Sequence, residues 1–182
     1  ESRRVKELEQ AHFALAFESP DYSDPRLHAA QIYATALGGS MSSRLFQEIR
    51  ERRGLCYTIF AQAGAYADTG MMTIYAGTDR AQMADLARIS VDEMKRAAVD
   101  FSHDELERAR AQMKAGLLMG LESPSNRAER LARTLQIWGR VPPVAEVVER
   151  IDAVTLPELR AIAEETVTRA PAAMALYGPV EH

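Results

Sequence analysis

An α+β domain is predicted, a mainly antiparallel sheet with helices packed on one of its faces. Three observations carry this. Short strand-like stretches stand near both ends and pair up as a hairpin in the first half. A long unbroken series of helical patterns fills the second half. Composition is ordinary for a globular chain, with 47% hydrophobic and 26% charged residues, so general disorder is excluded.

The elements follow in order. Residues 1–10 are charged and read as the end of a linker, leaving 11–182 as a single domain. His12-Phe13-Ala14-Leu15-Ala16-Phe17 alternates large and small apolar groups, as a strand does, and Glu18-Ser19-Pro20-Asp21 turns it. Asp24-Pro25 marks a helix start, the aspartate as cap and the proline in the first helical position. Leu27, Ala30, Ile32, Ala34 and Leu37 carry that helix to Gly38-Gly39, where a left-handed stop is expected. A second helix is expected from Ser40, Ser42 and Ser43 to Gly54, with Leu45, Phe46 and Ile49 facing inward.

Residues 55–66 are rich in Tyr, Thr, Ile and Phe and read as a strand. Asp68-Thr69-Gly70 turns it into a second strand, Met71–Gly77. Asp79–Gln82, Ser102–Glu105 and Thr155–Glu158 have capping-box spacing and open helices. Two apolar stripes at helical spacing are expected to be core: Leu106, Met113, Leu117 and Leu121, then Ala128, Leu131, Leu135 and Trp138. A short helix near 144–150 follows Pro142-Pro143, and Ala172–Tyr177 closes the chain as a strand.

Several function classes fall away. With 26 acidic against 22 basic residues the net charge is −4, which argues against a module held by nucleic-acid phosphates. The longest strongly apolar run, Gly116–Leu121, is far short of the ~20 residues of a membrane helix. One cysteine, Cys56, excludes a disulfide framework and suits a reducing, cytoplasmic setting. Cys56 reads as a small buried hydrophobe. None of the four histidines belongs to a zinc-binding pair on one helical face. His103 with Glu107 supplies too few ligands, His12 and His182 are bland, and His28 packs or faces water. Gly38–Ser43 follows a helix and lacks the lysine of a phosphate loop. The acidic pairs Asp92-Glu93 and Glu164-Glu165, with Glu107, read as solvated helix faces.

The segment Arg44–Tyr57 stands apart. It gathers Arg44, Arg50, Arg52 and Arg53 and then enters a strand through Gly54-Leu55-Cys56-Tyr57. Arg50 falls on the margin of the buried stripe, one turn beyond Phe46. From there its stem can cross the core edge and its head reach the end of the sheet. Tyr57 can present its hydroxyl to the same region. Such a pair of donors can hold a peptide carbonyl or a developing oxyanion. Arginines late in a helix also complement its dipole, and strand tyrosines are common, so the residues alone leave both readings open.

The run Gly38–Tyr57 resembles the second half of zinc peptidases of the insulinase/pitrilysin family, nearest to the mitochondrial processing peptidase branch and its bacterial relatives. The likeness rests on Ser43-Arg44-Leu45-Phe46 followed by Arg53-Gly54-Leu55-Cys56-Tyr57, and extends to Thr73–Gly77, Leu121-Glu122-Ser123 and Ala153-Val154-Thr155. The resemblance implies two similar halves closing over an extended peptide. The first half would carry the zinc motif H-x-x-E-H, which is absent here, and the second an arginine and a tyrosine matching Arg50 and Tyr57. On this expectation zinc is bound by the missing N-terminal half and none by this chain. The partners are then that half and a peptide substrate, with self-pairing of an isolated half as a further option. The chain alone would be inactive. The alternative the family offers is a non-catalytic scaffold or substrate-capture subunit.

Overall fold

The computed structural model describes residues 8–169 and 173–179. Strand β1 (Ala11–Ser19) leads into helix α1 (Leu27–Gly38) and a short π-helical turn (Phe46–Glu51). A hairpin of β2 (Thr58–Ala65) and β3 (Gly70–Thr78) follows. Then come α2 (Met83–Asp100), α3 (His103–Gly120), α4 (Pro124–Trp138), α5 (Val144–Ala153), α6 (Leu156–Thr168) and strand β4 (Ala173–Tyr177). The sheet runs β2-β3-β1-β4 with every neighbour antiparallel. The fold is α+β, as expected.

Alternation assigns the two faces of the sheet. Phe13 and Leu15 of β1, Ile59 and Ala61 of β2, and Met72, Ile74 and Ala76 of β3 are buried beneath the helices. The other face carries Phe60, Tyr75, His12 and Tyr177, with ring contacts between neighbours at 5.1 to 6.1 Å. His12 shares a 2.7 Å hydrogen bond with the Tyr75 hydroxyl. Helix α1 lies so close to β2 that a Cβ at Gly38 would sit 2.4 Å from the Ala61 backbone nitrogen.

Caps at Ser102 and Thr155 form both halves of the expected boxes. Other expectations need correction. Asp79 makes no cap; residues Arg80–Gln82 form a 3₁₀ turn and α2 starts at Met83. Asp24 receives the Arg26 amide at 2.8 Å, but α1 begins only at Leu27. Gly39 has φ −84, so α1 does not stop left-handed; the two glycines serve close packing instead. The stripe Leu131, Leu135 and Trp138 is exposed rather than core. Glu93 is buried on the inner face of α2 beside Leu86, Ile89, Ser90 and Met94, with Arg96 at 2.6 Å. Burial raises its pKa, with Arg96 opposing. Residues 1–7, most of the expected linker, and His182 lie outside the described residues, as does Ala172 of the closing strand.

Candidate functional site

The segment 43–57 is built by one irregularity. The backbone amide of Arg52 bonds to the carbonyl of Gln47 at 3.0 Å, five residues back, so the turn is π-helical. Gly54 then takes φ +61, where a Cβ would meet no atom within 4 Å. Its glycine therefore answers a backbone requirement and not a lack of room. The amide of Leu55 reaches back to the Ile49 carbonyl at 3.0 Å and closes the corner.

Three residues later the chain joins the sheet. The Tyr57 amide donates to the Gly77 carbonyl at 2.9 Å, and the Thr78 hydroxyl donates to the Leu55 carbonyl. Pinned from both sides, Cys56 turns in and Tyr57 turns out; the tyrosine is 56% exposed. Burial pushes the Cys56 thiol up to about 11, with the Arg50 guanidinium pulling the other way. Arg50 thus acts electrostatically on the residue beside Tyr57.

The four arginines separate into distinct roles. Arg44 is drawn inward, 12% exposed, with its Nε 2.5 Å from Glu105 Oε1 and Nη2 2.8 Å from Oε2. It also bonds to the Asp100 carboxylate and lies over the Phe101 ring, 4.4 Å from its centroid. Arg52 and Arg53 converge on Glu48 at 2.9 and 2.6 Å. The Arg53 bond, then the Arg52 bond, outweigh burial and hold the Glu48 carboxyl below its ordinary range. Arg50 is exposed. Its guanidinium stacks on Phe46 at 4.6 Å, and its ion pair is a loose 3.6 Å contact with neighbouring Glu51.

Tyr57 has a partner that sequence reasoning assigned elsewhere. Its hydroxyl stands 3.4 Å from both oxygens of Asp79, a long contact that leaves the hydroxyl accessible. The hairpin register pairs Thr58 with Gly77, which sets Tyr57 opposite Thr78 and beside Asp79. That register was the available signal. The corner thus offers two exposed donors, a guanidinium and a phenol, and a carboxylate acceptor. Groups of these kinds can give hydrogen bonds and positive charge to an oxygen atom.

Among the described residues no group of three or more His, Cys, Asp and Glu gathers as a metal ion would require, so those residues supply no zinc ligand set. No helix among them is long and apolar enough to cross a membrane.

Residues 1–113 match the family described as the peptidase M16 inactive domain. The chain belongs to this family. It is the C-terminal, inactive type of M16 domain. An uncharacterized zinc protease of Streptomyces coelicolor is 35% identical over 177 residues, 97% of this chain and 38% of that protein. The zinc protease YmxG of Bacillus subtilis is 34% identical over 177 residues, 97% of this chain and 43% of its own length. The chain therefore spans about two fifths of the length of these relatives. A chain of complex III2 from Candida albicans shares the fold at TM-score 0.89 and 21% identity, covering 99% of this chain and 46% of that one. A protease from Helicobacter pylori does so at TM-score 0.81 and 18% identity, covering 97% and 43%.

Proposed function

We propose that this chain is the substrate-binding, transition-state-supporting half of a zinc-dependent endopeptidase of the processing-peptidase type acting on extended polypeptides. Residues 11–182 form its domain, residues 1–10 end its linker, and the zinc belongs to the N-terminal half of the parent. The cytoplasm is the compartment this reading assigns. The observation that carries it is the contrast within one segment: Arg44, Arg52 and Arg53 are held by carboxylates at 2.5 to 2.9 Å, whereas Arg50 has a loose 3.6 Å contact with Glu51 and Tyr57 a long 3.4 Å contact with Asp79.

In this role Tyr57 donates a hydrogen bond from its hydroxyl to the substrate carbonyl oxygen as negative charge develops there. Arg50 supplies a second donor and a fixed positive charge. Asp79 holds the phenol between turnovers. By itself the chain binds no zinc and cleaves no peptide.

The test is Tyr57→Phe in the full-length parent. Loss of one oxyanion donor costs ~10²–10³ in turnover. The expected result is that drop in kcat with KM little changed. An unaltered kcat removes Tyr57 from the transition state. A parent that cleaves no peptide in either form supports a non-catalytic, substrate-capturing scaffold instead.

A further inference from the structure

Helix α3 packs against α1, α5 and α6, whereas α4 is held to the rest of the chain at few points. α3 begins packed, with Leu106 and Ala109 buried and Met113 against the core. Further along, Leu117 and Leu121 are only half-buried, and Leu118 and Met119 are exposed. α4 buries one residue, Thr134. It meets the body through Trp138, whose ring meets Tyr22 edge-on at 6.0 Å, and through Arg130, which donates to the Pro142 carbonyl at 3.3 Å. A cleft of about 750 Å³ remains between α4, Tyr22, Tyr66 and the end of β2.

Yet α4 is a fully specified helix. Ser123 caps its first turn, Pro124 occupies the first position and Gly139, at φ +65, ends it left-handed. At 100° per residue, Arg130, Thr134 and Ile137 face the body, while Ala128, Leu131 and Leu135 lie roughly a third of a turn round, in solvent. Leu118, Met119, Leu131, Leu135 and Trp138 are 39 to 69% exposed. A fifteen-residue helix draws most of its stability from packing its apolar face, and exposed apolar patches of several hundred Å² mark interaction surfaces.

We propose that the exposed apolar residues of α4 and of the end of α3, Leu131, Leu135, Leu118 and Met119, form the surface on which the remainder of the parent polypeptide packs. The assignment rests on the reading above only for the existence of a second half. The occupant is argued from length. This chain corresponds to 38% and 43% of two relatives, so more than half of such a polypeptide lies outside it. A covalently joined partner acts at an effective concentration in the millimolar range and covers the stripe at any dilution. A second copy would cover it only at high concentration.

The experiment uses the full-length parent with Leu135→Cys, and Val99→Cys as a control at another exposed position, both labelled with a maleimide and located by mass spectrometry. Coverage by the same polypeptide predicts labelling at 135 at least about tenfold slower than at 99, unchanged on about hundredfold dilution. Equal rates overturn the proposal. Slow labelling that recovers on dilution assigns the stripe to a second copy and also overturns it. Hydrogen exchange on the unmodified parent guards against a misfolded variant: amides of Leu131–Trp138 should be protected like those of α1, and exchange as fast as at frayed chain ends overturns the proposal. Zinc content and peptide cleavage are read in parallel. Slow labelling in a parent lacking both supports the surface and refutes the peptidase.

Discussion

Replacing Arg44 by Met tests whether the motif's first arginine is a structural tie and not part of the donor pair. Its guanidinium holds the Glu105 carboxylate by two bonds, reaches Asp100 and lies over Phe101. Breaking a buried ion pair by removing one partner costs ~3–5 kcal/mol. Here the cost is smaller, because Glu105 is 17% exposed and keeps the Ser102 amide and hydroxyl at 2.9 and 3.0 Å. Asp100 is half-exposed and adds little. The contact over Phe101 contributes ~0.5–2 kcal/mol. A loss of about 2–3 kcal/mol is expected, or a fall in Tm of about 5–10 °C for a chain of this size. Urea unfolding with an unchanged m-value measures it. Adding Glu105→Gln should restore about half, since no charge is then stranded. The pH dependence has a definite sign. Burial raises the Glu105 pKa, but the Arg44 and Ser102 bonds outweigh it and the net shift is downward. A depressed pKa contributes stability above the ordinary value, ~4.3, and loses it as pH falls through the folded value. Arg44→Met should shrink that acid-side loss. A change below about 0.5 kcal/mol, or a double variant less stable than the single one, refutes the reasoning.

Tyr33 is fully buried with its hydroxyl unpartnered among the described residues, and burial pushes its pKa upward. Tyr33→Phe removes that desolvated group and should raise stability by up to about 1 kcal/mol, read as Tm; a fall of that size would mean the hydroxyl has a partner. Gly54→Ala should cost about 1–2 kcal/mol from φ +61 alone, and Gly54→Asn less; equal stability of all three would show that the corner is not left-handed. With its thiol at about 11, Cys56 should be alkylated at pH 8 about two orders of magnitude more slowly than a free cysteine, and labelling at the free rate would place the sulfur in solvent.

Much of this architecture is legible from local chemistry. The alternation of β1, the hairpin and the caps at Ser102 and Thr155 are short-range patterns that the fold leaves undisturbed. What is illegible depends on who the neighbour is. Asp79 has the spacing of a cap, but the hairpin register puts the Tyr57 hydroxyl beside it, so the carboxylate faces the site and no cap forms. Glu93 looks like half of a solvated pair, yet its position on α2 faces inward, where Arg96 accompanies it. Gly39 reads as a left-handed stop, whereas the real demand is for room against Thr35.

The two most informative discrepancies share one cause. Arg44 and Arg50 sit six residues apart in a single basic run, and composition cannot separate them. Space does: α2 and α3 bring Asp100 and Glu105 to the first, whereas the second has a loose 3.6 Å contact with its neighbour Glu51. Leu131 and Leu135 have the periodicity of a core stripe and still stand in solvent. Periodicity reports that a helix has a face to bury without saying in which body it will be buried. An exposed stripe on a well-capped helix and a loosely paired arginine beside a tight corner are therefore the same kind of evidence. Each is a local specification that the described residues meet only in part, and the proposals above assign both to surfaces completed by another part of a longer polypeptide.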